Sequence, residues 1–211
     1  KPNNVPFVIL GASLLWFGWF GFNAGSALAA NGLAVSALIT TNLAAAAGAL
    51  SWMAVDWIRK GKPTATGMAI GAVCGLVAIT PASGFVSAMP AILIGLLAGV
   101  FSNFVASWRE RSHLDDSLDV FACHGVSGIW GALATGIFAN AAVNGVNGLL
   151  YGNPGQLFIQ LLAVVVVALY AFVGSFILLK IINTFVKLRV SEIDEEAGLD
   201  TSQHGELAYH E

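Results

Sequence analysis

Long stretches without charge restrict the fold of this chain more than any other feature. Residues 2–55, 63–108 and 120–179 contain no Asp, Glu, Lys or Arg, and 57% of all residues are hydrophobic. A helix that crosses a bilayer needs about 20 apolar residues, so each stretch is long enough for two crossings. The crossing segments should be helical because the bilayer core leaves unpaired backbone groups without water. We therefore predict an all-α polytopic membrane protein with six transmembrane helices, near residues 6–28, 33–58, 64–80, 85–108, 117–139 and 156–185.

Positive charge gives these helices an orientation. All nine Lys and Arg residues fall on one side of the predicted arrangement, whereas the connections on the other side, residues 29–32, 81–84 and 140–155, carry none. Lys and Arg are enriched in cytoplasmic connections. We therefore expect a transmembrane domain over residues 1–187 in the cell membrane, followed by a cytoplasmic tail over residues 188–211.

The composition argues against several other classes of protein. Residues 191–211 hold seven acids and no Lys or Arg, which argues against binding to nucleic acid. Cys74 and Cys123 lie in apolar spans, where a free thiol usually packs as a small hydrophobic group. The sequence has no spacing typical of a metal site, a phosphate-binding loop or a nucleophile with its base. We expect no metal, no cofactor and no enzymatic activity.

One ionisable ring lies inside the third uncharged stretch. His124 follows Asp119 by five residues, which places it roughly 8 Å deeper along a helix. Burial favours the neutral imidazole, which accepts a hydrogen bond at one nitrogen and donates one at the other. Two interpretations stay open at this point. The ring either packs against a neighbouring carbonyl or hydroxyl, or it passes a proton or a small polar molecule along a line.

The first predicted span is rich in aromatic side chains. Phe22 and Ser26 are four residues apart and therefore share one helix face. A ring attracts a cation through its π face and a hydroxyl offers a hydrogen bond, a pairing that suits a small ammonium-like cation. Aromatic anchoring at the membrane interface is the alternative explanation for this span.

Three acids near the predicted helix ends are expected to have structural roles. Asp116 and Asp119 precede the fifth span and are placed to cap its N-terminus. Asp56 lies within one turn of Arg59, and we expect an interfacial ion pair between them.

Four segments together resemble the ammonium transporter family, the Amt/Mep/Rh proteins. They are WFGWFGFNAGSAL (16–28), GKPTATGMAIGAVCGLVAITPASGFV (61–86), LDDSLDVFACHGVSGIWGALATGIFA (114–139) and GLDTSQHGELAY (198–209). The last segment resembles the microbial and plant Amt branch more than the Rhesus branch. The resemblance implies an eleven-helix fold made of two inverted five-helix repeats and a last helix, assembled as a homotrimer. This chain matches the sixth to eleventh helices, and we expect the first repeat to precede it.

The resemblance also assigns roles to residues. Phe22 corresponds to a pore-gating phenylalanine, Ser26 to the serine of the ammonium recruitment site, and His124 to the second of two pore histidines. The first histidine, the second gate phenylalanine and the recruitment tryptophan belong to the first repeat. The implied mechanism is capture and deprotonation of ammonium, followed by conduction of ammonia through the pore. A PII-type nitrogen regulatory protein is the implied partner at the tail.

Other functions on the same fold remain open. An ammonium sensor would report binding through the tail with little flux, and the absence of an appended kinase or cyclase domain favours transport. A Rhesus-like gas channel and an inert half-protein are the further alternatives.

Overall fold

The computed structural model describes residues 2–207, and these residues form helices and no strand. Its helices are α1 (Val5–Gly25), α2 (Gly32–Lys60), α3 (Ala65–Ile79), α4 (Ala88–Arg109), α5 (Ser127–Phe138), α6 (Ala141–Asn144), α7 (Pro154–Phe185) and α8 (Glu192–Ala197). A π-helical segment, Phe121–Val126, leads directly into α5, and two further short turns span Leu149–Tyr151 and Asp200–His204. The predicted all-α class is confirmed.

Five of these helical segments are long and apolar enough to cross a membrane. They are α1, α2, α4, the continuous run Phe121–Phe138, and α7. The remaining helix of the predicted set, α3, is apolar but only 15 residues long. It ends early because the chain folds back at residues 80–86, where Ala82 and Ser83 donate their backbone N–H groups to the carbonyl of Ile79.

Polar side chains fix the starts of three helices. Asn4, Asn31 and Thr64 are the N-cap residues of α1, α2 and α3, and each side chain accepts a hydrogen bond from a backbone N–H in the first turn. These contacts satisfy donors that have no partner within the helix. Gly61 ends α2 with a φ of 75°, a left-handed conformation that glycine adopts without steric cost.

The fifth predicted span starts later than its charge pattern suggests. The Asp116 carboxylate accepts hydrogen bonds from the backbone N–H groups of Val120 and Phe121, both at 2.9 Å, so the predicted capping role of this acid is confirmed. Asp119 instead pairs with Arg109, and its φ of 53° interrupts the helical path. The helical segment therefore begins at Phe121.

The core lies where α2, α3 and α4 meet. Small residues on the facing sides, such as Ala44, Gly48 and Gly75, bring the helix backbones close together. Larger apolar side chains at the centre, including Leu76, Ile79 and Ile94, are fully buried.

The chain divides into two compact units, Lys1–Val164 and Val165–Glu211. The first holds α1 to α6 and the start of α7. The second holds the rest of α7, α8 and the turn Asp200–His204. In the second unit Arg189 forms an ion pair with Glu195 at 2.8 Å. Residues 208–211 of the predicted tail lie outside the described part of the chain.

Candidate functional site

The predicted gate phenylalanine and recruitment serine line one cavity at the C-terminal end of α1. This cavity, called the Ser26 cavity below, has a volume of about 300 Å³ and includes Phe22 and Ser26 in its lining. Ser26 is the C-cap residue of α1, and its hydroxyl donates a hydrogen bond to the carbonyl of Phe22 at 2.7 Å. Because this bond uses the hydroxyl proton, the oxygen lone pairs remain available to accept a hydrogen bond from a ligand.

Other polar groups of the Ser26 cavity were not predicted from the sequence. Asn23 is buried and donates a hydrogen bond from Nδ2 to Thr41 Oγ1 at 2.9 Å. Thr80 and Ser83 come from the turn after α3, and Asn144 comes from the end of α6. They meet because the early end of α3 returns the chain to the end of α1. A sequence pattern cannot show this, since the contributing segments lie far apart along the chain.

Trp19 ties α1 to the same turn. Its indole Nε1 donates a hydrogen bond to Thr80 Oγ1 at 2.8 Å. Its ring also meets the edge of the Phe22 ring, with centroids 5.8 Å apart and planes at 78°. An edge-to-face pair of this kind favours one orientation of the two rings. The Phe22 ring is therefore oriented by Trp19 even though 61% of Phe22 is exposed.

His124 lines a second cavity, closer to the N-terminus of α1. This His124 cavity also has a volume of about 300 Å³. Its described lining is otherwise mostly apolar: Phe7, Val8, Gly11, Ala12, Leu15, Ala69, Ile70, Val73, Leu118 and Cys123. His124 lies in the π-helical segment and is exposed, so its imidazole is accessible from the cavity.

The structure brings Phe22 and Ser26 together but keeps them apart from His124. Helix α1 contributes five residues between Phe7 and Leu15 to the His124 cavity. Its last turn and the two residues that follow it contribute to the Ser26 cavity. The step of seven positions from Leu15 to Phe22 corresponds to roughly 10 Å of helix. The two cavities thus follow one another along the same helix, with the aromatic and hydroxyl groups at one end and the imidazole at the other.

A comparison with known proteins decides the family. The profile of the Ammonium Transporter Family matches residues 1–209. The chain belongs to the ammonium transporter family. Ammonium transporter Amt1 of Archaeoglobus fulgidus is 51% identical over 209 residues, which cover 99% of this chain and 53% of that protein. An ammonium transporter of Aquifex aeolicus is 52% identical over 210 residues, with 99% and 49% coverage.

Solved structures of the same family agree with this assignment. The crystal structure of Saccharomyces cerevisiae Mep2 matches with a TM-score of 0.87 and 38% identity, over 92% of this chain and 45% of that one. A structure described as a sensor Amt protein matches with a TM-score of 0.87 and 32% identity, over 95% and 49%. This member of the family therefore spans about half the length of the relatives it matches.

A third cavity in this family member contains a buried carboxylate, Asp56, and the predicted ion pair between Asp56 and Arg59 is wrong. The Asp56 cavity has a volume of about 730 Å³ and lies where α2 and α4 end and α3 begins. Asp56 is only 1% exposed, and it pairs with Lys60 at 3.0 Å instead of Arg59. It also accepts hydrogen bonds from Asn103 Nδ2 at 2.9 Å and Thr64 Oγ1 at 3.1 Å.

Arg59 does not pair with Asp56 because its guanidinium contacts side chains of α4. Its guanidinium donates hydrogen bonds to Asn103 Oδ1 at 3.1 Å and to Ser107 Oγ at 3.0 Å, and it lies over the Phe104 ring at 4.8 Å. All three partners belong to α4. The Asn103 amide thus links Arg59 and Asp56, because its oxygen accepts from the one and its nitrogen donates to the other.

Proposed function

We propose that the protein transports ammonium or ammonia across the cell membrane and is not an enzyme. The membrane domain would cover residues 1–187, with the tail from residue 188 in the cytoplasm. The observation that carries the proposal is the order of the two cavities along α1, in a chain of this family. A cation-attracting ring and a hydroxyl precede an apolar cavity whose wall carries an imidazole.

In this proposal Ser26 and Phe22 recruit the substrate. The Ser26 oxygen accepts a hydrogen bond from ammonium, and the π face of Phe22 attracts the positive charge. Phe22 also gates entry to the apolar part of the path. The hydrogen bond to the Phe22 carbonyl and the contact with Trp19 support this role, since they hold the hydroxyl and the ring at the same cavity.

His124 acts in the next step. A bare cation in an apolar cavity is strongly destabilised, and transfer of one ammonium proton to the acceptor nitrogen of a neutral imidazole removes that cost. The imidazole passes this proton on separately from ammonia, so that net charge crosses the membrane. Neutral ammonia then passes along the imidazole, which can both donate and accept a hydrogen bond. Potassium has no proton to give up, so the same apolar cavity rejects it. The first histidine of the proposed pair would come from the first repeat.

The assembly and the partner are also proposals. We infer a homotrimer with one pore per subunit, as the family resemblance implies. The acidic tail is available to a PII-type nitrogen regulatory protein. A tail with its own helix, α8, and an internal ion pair between Arg189 and Glu195 is compatible with such a contact.

Replacement of Ser26 by alanine tests the recruitment step. In the intact protein reconstituted into liposomes, we expect Ser26→Ala to raise the ammonium concentration that gives half-maximal current by about tenfold, the effect of losing one hydrogen bond to a charged group. Ser13→Ala is the matched control. Ser13 lies on the same helix and donates the same type of hydrogen bond, to the Ile9 carbonyl at 2.8 Å. Equal half-saturation in Ser26→Ala and Ser13→Ala would remove Ser26 from the recruitment site.

A sensor is the second candidate function. It is favoured by the match to the sensor Amt protein, at 32% identity. Transport and sensing differ in how much flux accompanies tail movement. A sensor moves its tail on ammonium binding with no flux. Tail movement followed by a spectroscopic probe at residue 193, together with current in the same liposomes, separates the two functions.

A further inference from the structure

Two side-chain contacts join α4 to the π-helical segment of the fifth span, one before the segment and one after it. Before it, Arg109 at the end of α4 pairs with Asp119, whose Oδ1 lies 2.8 Å from Nη2 and 2.9 Å from Nε. After it, the hydroxyl groups of Ser102 and Ser127 are hydrogen-bonded at 2.9 Å, and both serines are fully buried. These two contacts are called the α4 links below. His124 lies between them along the chain.

The α4 links enclose different numbers of residues on their two sides. Ser102 and Arg109 are seven residues apart on α4, so both side chains lie on one face of that helix. Asp119 and Ser127 are eight residues apart on the facing segment. The facing segment therefore holds one residue more between the same two links. A π-helical turn takes up an extra residue, because its hydrogen bonds join residues five apart instead of four.

The backbone and the core fix how the π-helical segment is rotated about its axis. Asp119 has a φ of 53°, a left-handed conformation that Asp tolerates better than most residues. Its carbonyl accepts a hydrogen bond from the backbone N–H of Cys123 at 2.9 Å. Ala122 and Cys123 are buried in the core, whereas the next residue, His124, is exposed and lines its cavity. The direction of the imidazole therefore depends on the rotation of this segment.

We infer that Arg109 and Ser102 are positioning residues for His124: they hold the π-helical turn in the register that presents the imidazole to its cavity. The effect on current rests on the proposed transport function. Neither residue is among the described residues that line the His124 cavity. Without the α4 links, the turn can return to the ordinary α-helical pattern. A shift of one residue then turns the side chain at position 124 by roughly 100°, and Cys123 leaves the core.

Thiol labelling tests the register without relying on transport. Cys123 belongs to the π-helical segment and Cys74 to α3, and both are buried. In the intact protein in detergent, we expect Arg109→Gln and Ser102→Ala to make Cys123 reactive towards a small maleimide while Cys74 stays protected, because only the segment turns. Mass spectrometry of the labelled peptides distinguishes the two thiols. Arg111→Gln is the matched control, since it removes an exposed arginine from the same connection.

Currents in liposomes measure the functional consequence. Arg109→Gln and Ser102→Ala should each lower the maximal ammonium current per folded protein by about fivefold, the effect of losing one hydrogen bond from the imidazole. The half-saturating ammonium concentration should stay unchanged, because the Ser26 cavity is not altered. Arg109→Lys keeps the charge that pairs with Asp119 and should retain more of the current than Arg109→Gln.

The outcomes separate positioning from general stability and from transport itself. Cys123 that stays protected in both variants would overturn the inference. Equal labelling of Cys123 and Cys74 would also overturn it, because it shows that the core has loosened. So would an unchanged maximal current in a variant whose Cys123 is labelled. No ammonium current from the unmodified protein would instead overturn the proposed function, and the labelling would still decide the register. A variant that fails to fold is recognised by size-exclusion chromatography, and the variant at the other link then decides.

Discussion

Asp56 shows how a single buried carboxylate can hold three helices together. Its oxygens accept hydrogen bonds from Asn103 of α4 and from Thr64, the N-cap of α3, while Lys60 of its own helix completes the ion pair. Asn103 is also only 1% exposed. The carboxylate therefore satisfies a buried amide in addition to neutralising a lysine.

Loss of this carboxylate should destabilise the protein. We predict that Asp56→Ala lowers the free energy of unfolding by about 2–3 kcal/mol, because it leaves the buried Asn103 amide without its acceptor. Lys60→Ala is the comparison variant and should cost less than Asp56→Ala, because the Asp56 carboxylate keeps its hydrogen bonds from Asn103 and Thr64 when the half-exposed lysine is removed. Thermal unfolding in detergent measures both. Equal shifts for the two variants would show that the amide contributes nothing beyond the ion pair.

The partner of Asp56 could not be deduced from local spacing. Arg59 and Lys60, three and four residues away, both lie within helical reach of the acid. Which of the two pairs with Asp56 depends on Asn103 and Ser107, which bind Arg59 and belong to a helix more than 40 residues later in the chain.

His124 can be identified as a candidate residue from the sequence, because it is an ionisable ring in a long uncharged stretch. Its cavity cannot be identified in this way, since α1 and α3 supply most of the wall.

At the scale of elements, close backbone contact defines how α2, α3 and α4 pack. A methyl group at Gly75 of α3 would collide with the backbone of Ala44 and Ala45 on α2. A methyl group at Gly18 of α1 would meet open space within the part of the chain that the structure describes. A side chain at Gly75 would therefore disturb helix packing and one at Gly18 would not, although both positions belong to apolar helices.

A pair of glycine substitutions tests this difference. We expect Gly75→Ala to destabilise the protein by about 1–3 kcal/mol, because the tightly packed helices must move apart. Gly18→Ala should leave stability unchanged or raise it by up to about 1 kcal/mol, since alanine favours the helix. The midpoint of thermal unfolding in detergent reports both effects. A Gly75→Ala protein as stable as Gly18→Ala would contradict the close contact.

The sequence predicts that a helix is present more readily than it predicts where the helix begins and ends. The three uncharged stretches indicate paired spans, and Pro81 with Gly84 marks the early end of α3. The start of the fifth span depends on Asp119, whose positive φ and pair with Arg109 interrupt the helix. That pairing requires α4 to lie next to the connection, which no local pattern specifies.

For the whole molecule, one exposed helix links the three cavities. Asn23 is the buried residue of α1 in the described structure, yet this helix contributes to the Ser26, His124 and Asp56 cavities. An apolar helix with cavities along its length is suited to the wall of a pore. The order of polar, apolar and charged linings along it is the basis of the proposed transport path.

Ammonium current and its dependence on His124 test the central proposal most directly. The intact protein in liposomes should give a saturable current with ammonium and none with potassium, and His124→Ala should abolish or greatly alter it. His113→Ala, in the exposed connection before the π-helical segment, should leave it unchanged. An unchanged, selective ammonium current in His124→Ala would contradict the role of this ring, and ammonium-dependent tail movement without any current would identify the protein as a sensor.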